Sequence, residues 1–245
     1  MPQSIGNAKN ILVGASPLFI SNIDSTTAGY EATYANSEPG QNSGPAFATG
    51  TSYSDTLNAI TSGTFYYRNV GYTNNGLQIT YNPTFDSVTV DQLLDTAKLF
   101  KSAMEVMIMT EMSEGTLENV LVVFGQADDP ANNTSLSATN TIINQGSAGT
   151  TTSKTTLGLG AGALGVAPTE RQLVAVGEAP GTQQGSTVTR AERVYYARRV
   201  LSVQQSQFSL ARTTPTTFPV TFRLLPDGNY AGSEYGKIID RVLTA

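Results

Sequence analysis

The sequence predicts a mainly β protein, an antiparallel barrel or sandwich with one flanking α-helix and long polar loops. Three observations point there. Apolar residues make up 39% and charged residues 13% of the 245 residues, and the difference is filled by Ser, Thr, Asn, Gln and Gly, which suit strands and surface loops better than helices. The apolar residues come in short runs that alternate or are bounded by turn residues, the pattern of half-buried strands. Only one segment carries a strong helical stripe. No composition break divides the chain, so residues 1–245 are expected to form one domain.

The elements follow in order. Ile11–Ile20 reads as a first strand broken near Pro17. Residues 21–63 are polar and read as a long loop, with Tyr30, Tyr34 and Tyr53 as rigid contact groups. Thr64–Val70 and Leu77–Tyr81 read as a hairpin around Asn75-Gly76, a pair that tolerates positive φ. Phe85–Asp91 alternates like a strand, and Val90–Ser102 could hold a helical turn or two. Ala103–Met112 reads as a strand with Met104, Val106, Ile108, Thr110 and Met112 on one face and Glu105, Met107, Met109 and Glu111 on the other. Ser113–Phe124 is the helix, with Ser113 as N-cap, Gly125 as terminator, and Leu117, Val120, Leu121 and Phe124 as the packing stripe. Residues 126–153 form a second long polar loop. Lys154–Leu159, Gln172–Val176, Arg193–Val203, Gln207–Arg212 and Phe218–Leu224 read as strands, and Tyr235–Leu243 as a strand or docking arm.

The chain contains no Cys, His or Trp. This removes disulfides, zinc sites built on Cys and His, and triads with a His base. No cofactor or metal site and no catalytic residues are expected. Gly160-Ala-Gly162-Ala-Leu-Gly165 spells a dinucleotide fingerprint, but Pro168 and the run Gln172–Val176 leave no room for the helix that fingerprint needs. Gly232-Ser-Glu-Tyr-Gly236-Lys237 is one residue too short for a phosphate loop, with Ile238 where Ser or Thr should hold magnesium. Asp128-Asp129-Pro130 reads as a solvated turn. Glu105 and Glu111 lie about 20 Å apart along an extended strand, too far for paired-carboxylate hydrolysis. The N-terminus lacks a basic region followed by an apolar run, so no signal peptide is expected, and no stretch has the length of a membrane span.

Net charge is −5, which disfavours tight non-specific DNA binding. Residues 1–130 hold four basic and thirteen acidic side chains, and residues 131–245 ten basic and six acidic. That asymmetry suits either solvated faces or head-to-tail self-association.

Four segments carry a family resemblance. Arg68-Asn69-Val70-Gly71-Tyr72-Thr73-Asn74-Asn75-Gly76 through Pro83, Val88-Thr-Val-Asp91-Gln92, Thr116-Leu117-Glu118-Asn119-Val120, and Pro215-Thr-Thr-Phe-Pro219 through Asp227 resemble, in order and spacing, segments of siphophage tail tube (major tail) proteins. Asn69 stands where that family usually has Asp, and the polar segment 21–63 is longer than expected. The resemblance implies a structural subunit, not an enzyme, found in the virion tail and assembled in the host cytoplasm. Six copies would form a ring, and rings would stack into a hollow tube for DNA passage, with tape measure, tail terminator and distal tail proteins as partners. It also implies Asp91, Glu105 and Glu111 as candidate lumen-facing acids, with 21–63, 126–153 and the termini as candidate stacking elements. The alternatives are a head–tail connector component, a capsid decoration protein, the inner tube of a contractile tail, or a carbohydrate-binding β-sandwich.

Overall fold

The computed structural model describes residues 14, 16–25, 30–31, 37–40, 44–60, 65–89, 95–126, 142–145, 154–157, 159, 165, 167–180, 182–184, 187–203, 206–208, 210, 212 and 215–243. Its strands are β1 (Leu18–Ser21), β2 (Tyr67–Asn69), β3 (Thr73–Thr89), β4 (Thr96–Met112), β5 (Ile142–Gln145), β6 (Lys154–Leu157), β7 (Arg171–Glu178), β8 (Thr182–Gln184), β9 (Thr187–Ser202), β10 (Phe218–Leu224) and β11 (Gly236–Leu243). Two helices, α1 (Tyr53–Ala59) and α2 (Leu117–Val123), complete the described elements.

The fold is mainly β and antiparallel, as the alternating apolar runs predict. One sheet runs in the order β2-β1-β7-β9-β10-β4-β3, β8 and β11 also pair with β9, and β5 and β6 form a separate hairpin. The sheet is not closed into a barrel. β9 organises it. One of its edges carries β7, from Arg171↔Val200 to Glu178↔Glu192. The other edge is divided: β10 takes Val200–Ser202 and β11 takes Arg190–Ala197. The sheet therefore forks at Arg198 and Arg199, where a bulge in the β7–β9 register inserts an extra residue.

Both faces of the central strands are covered, so β7 is buried without alternation from Arg171 to Val176, with Leu173–Val176 as its apolar run. On one face Leu18, Ile20, Leu173, Ala175, Val200 and Phe222 join Val106, Ile108 and Met112 of β4 and Val122 and Val123 of α2. On the other face Phe19, Tyr67, Val174, Val176, Val194 and Tyr196 meet Tyr53 and Leu57 of α1. Tyr53 and Leu57 are four residues apart and so share a helix face. Burial pushes the phenol of Tyr67 well above its ordinary pKa, and its hydroxyl donates 2.6 Å to Gln172 Oε1.

Several sequence expectations need correction. Residues 21–63 are not one loop, because α1 lies within them and adds a second helix to the one expected. Thr64–Val70 and Leu77–Tyr81 do not pair as a hairpin: β2 pairs with β1 and β3 with β4. Asn75 and Gly76 do adopt positive φ, 61° and 68°, but they form a bulge inside β3, where the register shifts between Asn74 and Gln78. Pro83 lies within β3, which is possible because β3 is an edge strand. Thr96–Ser102 is strand and not helix. The described residues of Gln207–Arg212 are not strand, and Ile142–Gln145 is a strand inside the expected loop 126–153.

The helix α2 begins later than expected. Thr116, not Ser113, is its N-cap, accepting from Asn119 N at 3.3 Å. Its C-terminus closes on Gly125 (φ 65°), with Gly125 N donating to Val122 O and Gln126 N to Leu121 O, the Schellman arrangement. The packing stripe is rotated relative to Leu117, Val120, Leu121 and Phe124. Leu121 is buried and Val120 packs half-buried on the core, but Leu117 is only half-buried and Phe124 is 39% exposed. Asn119, Val122 and Val123 are buried in their place, because a polar side chain is the anchor of this helix. Asn119 Nδ2 donates to Val70 O (2.8 Å) and Glu114 O (2.9 Å), and its Oδ1 accepts from Arg68 Nη1 (2.8 Å). The helix is thereby stapled to residues 68–70, which lead from one end of the sheet towards the other. Asn119→Ala is expected to lower the unfolding free energy by about 3 kcal/mol, since three partners lose their bonds in a buried site; urea denaturation measures it.

Candidate assembly surface

The alternation in β4 places side chains as the sequence predicts. Val106, Ile108, Thr110 and Met112 are buried, while Glu105, Met107, Met109 and Glu111 are half-buried on the opposite face. The register sets Pro219, Thr221 and Arg223 of β10 beside Glu111, Met109 and Met107. Arg223 Nη1 lies 3.8 Å from Glu105 Oε1, and Asn74 Nδ2 donates 3.3 Å to Glu111 Oε2. Glu105 and Glu111 thus share one face, and a cation stands between the strands on it. Asp91 lies outside the described residues.

Beyond Met104 the β3–β4 hairpin leaves the body. All residues from Thr96 to Ala103 are exposed, an arm about 25 Å long at roughly 3.3 Å per residue. Pairing sets Phe85 beside Lys101 and Leu99 beside Ser87 on one face, with Phe100 beside Asp86 and Val88 beside Lys98 on the other. Phe85 is 57% exposed, Leu99 65% and Phe100 46%. Neither face of the ribbon is covered, and an isolated two-stranded ribbon is marginal in water.

The longest strand edges without a partner among the described residues are the outer edge of β3, the edge of β4 from Thr96 to Val106, and the outer edge of β11. Open edges of this length template further pairing. Between the β4 and β11 edges lies an apolar notch of about 220 Å³, bordered by Val106, Ile108, Tyr195, Leu224, Tyr235 and Ile238. It exists because β10 ends at Leu224 while β11 continues along β9.

Charged locks hold the body around these edges. Arg198, fully buried at the fork, lies 3.0 Å from Glu38 Oε2, donates 3.1 Å to Ser233 O, and stacks 3.6 Å from the Tyr230 ring. Lys237 of β11 pairs with the same Glu38. Glu192 on β9 accepts from Tyr53 N (2.9 and 3.0 Å) and from Ser52 Oγ (2.8 Å) at the start of α1, a carboxylate where the helix dipole favours one. Arg241 of β11 lies 2.6 Å from Glu192 Oε1 and donates to Ala48 O and Thr51 O. These contacts between residues distant in sequence were invisible in the sequence, apart from the acidic residues that interrupt apolar runs.

Among the described residues no group of three or more His, Cys, Asp or Glu could hold a metal ion. No helix among them is long and apolar enough to cross a membrane. Compared with known proteins, the chain matches no protein-family model and no curated protein.

β11 is held on β9 by a bidentate pair, with Arg193 Nε and Nη2 at 2.5 and 2.7 Å from Asp240. These hydrogen bonds hold the Asp240 carboxyl below its ordinary value of 3.8. Its contribution is full above that ordinary value and disappears as pH falls through the lowered folded value. Asp240→Asn should cost about 0.5 kcal/mol at neutral pH, the size of a solvent-screened pair. Urea midpoints for the two proteins should converge as pH falls below the lowered value of Asp240.

Proposed function

We propose that this chain is a structural subunit of a long bacteriophage tail, a tail tube protein that assembles into stacked, hexameric rings around a bore for DNA. The observation that carries this reading is the β3–β4 arm, whose two faces and long edges are uncovered in the single chain. A surface of this kind is an aggregation hazard unless copies of the chain close it in a defined way. The resemblance of Arg68–Pro83, Val88–Gln92, Thr116–Val120 and Pro215–Asp227 to tail tube segments supports the same reading.

On this reading the role is structural and not catalytic, and no cofactor is used. The protein resides in the virion tail after assembly in the host cytoplasm. Tape measure, tail terminator and distal tail proteins are its partners. The β4 face with Glu105 and Glu111 turns to the bore, where carboxylates keep DNA from adhering. Arg223 moderates that acidity, so Arg223→Glu should weaken any residual retention of DNA without loss of tubes.

Negative-stain microscopy and light scattering of the purified protein test the assembly. Hollow filaments are expected. Phe85→Lys combined with Phe100→Lys should leave the unfolding midpoint within the range of surface changes, about 0.5 kcal/mol, and abolish filaments. A protein that stays monomeric at every concentration, with the arm protected from proteolysis, would overturn the proposal.

A further inference from the structure

A second feature is independent of the arm. The ends of β1, β2 and β7 meet α2 around a polar pocket of about 230 Å³, lined by Ser21, Asn22, Tyr66, Arg68, Glu118 and Arg171. Leu121 and Val122 of α2 form its apolar wall. The two cations in it differ. Arg171 is compensated: its Nη2 lies 3.2 Å from Asp24 Oδ2 and donates 2.9 Å to Gln126 O. Arg68 is not. Its Nη1 is committed to Asn119 Oδ1 at 2.8 Å, which fixes the plane of the guanidinium. Its Nη2 is buried and has no hydrogen-bond partner among the described residues.

The charge of Glu118 acts on Arg68, but Glu118 is exposed on the first turn of α2 and makes no ion pair with Arg68 among the described residues. Burial disfavours the charge on Arg68 most, Glu118 offsets part of that, and Arg171 adds to the burden. A buried guanidinium nitrogen whose N–H groups are unmet, and whose charge has no ion-pair partner among the described residues, is costly, and a planar fork is matched by oxygen pairs on carboxylates and phosphates. Water could satisfy the N–H but not the charge.

We propose that this pocket binds a small oxyanion through Arg68 Nη2, with Arg171 supplying further positive potential. A free inorganic anion and a carboxylate offered by a neighbouring chain share the chemistry required. Glu118, at the rim, opposes the anion and sets the affinity.

The test uses inorganic phosphate and acetate against chloride at matched ionic strength, read by the thermal midpoint and by titration calorimetry on the full chain. Both oxyanions should raise the midpoint more than chloride does. Glu118→Gln should tighten binding about threefold, the loss of one screened like charge. Arg68→Lys should weaken it about tenfold by removing the fork. Arg68→Gln should abolish it, but it also removes the donor to Asn119, so the first two variants carry the decision. If phosphate delays assembly over the same concentration range in which it stabilises, the natural occupant is a neighbour's carboxylate; if assembly is unaffected, it is a free anion. Equal midpoints in phosphate, acetate and chloride for both the wild type and Glu118→Gln would overturn the proposal.

Discussion

The buried guanidinium of Arg198 is the constraint on which the architecture turns. It sits where β9 exchanges β10 for β11 on one edge, and the backbone bonds Arg198 N to Tyr235 O and Leu225 N to Arg199 O mark the two departing partners. A cation with no solvent exposure is tolerable only when its charge and donors are met. Glu38 meets the charge and Nη2, Ser233 O meets Nε, and the Tyr230 ring stacks on the plane, while Nη1 is left without a hydrogen-bond partner among the described residues. Each of these groups belongs to a segment that would otherwise have little reason to lie there. The fork holds β11 away from β4, and so leaves open the notch and the free edge at the base of the arm.

The same economy governs the cover of the outer face. Glu192 does two tasks, capping α1 and pairing with Arg241, so the docking of α1 depends on β11 being in place. Asn119 plays the corresponding part for α2. In both places a polar side chain inside an apolar setting fixes position, while the surrounding Val, Leu and Tyr side chains supply the burial. Packing alone would allow either helix to slide; the directional bonds do not.

The legible part of the sequence was what depends on local pattern. Phe218–Leu224 alternates and forms β10 with those bounds, and the two faces of Ala103–Met112 are as the period of two demands. Gly125 ends α2 because only positive φ allows the turn there. Illegible were the features set by distant partners. The positive φ of Asn75 and Gly76 was readable, but whether it makes a turn or a bulge depends on β4 pairing through it. The helical stripe of α2 was rotated by Asn119, whose role needs Arg68 and Val70. Glu105 and Glu111 could be placed on one face, whereas the unpartnered Nη2 of Arg68 emerges only once β1, β2, β7 and α2 have converged.

The attachment of the arm has a mechanical consequence. β4 is joined to β10 by a continuous run of antiparallel partners from Phe218↔Met112 to Arg223↔Met107, and the same strand continues into the arm. Tension on its tip pulls β4 lengthwise past β10, so these rungs share the force in shear and are not peeled one after another. Six partners strained together yield at a higher force than six opened in turn, which makes the root of the arm stiff against stretching and compliant only to bending.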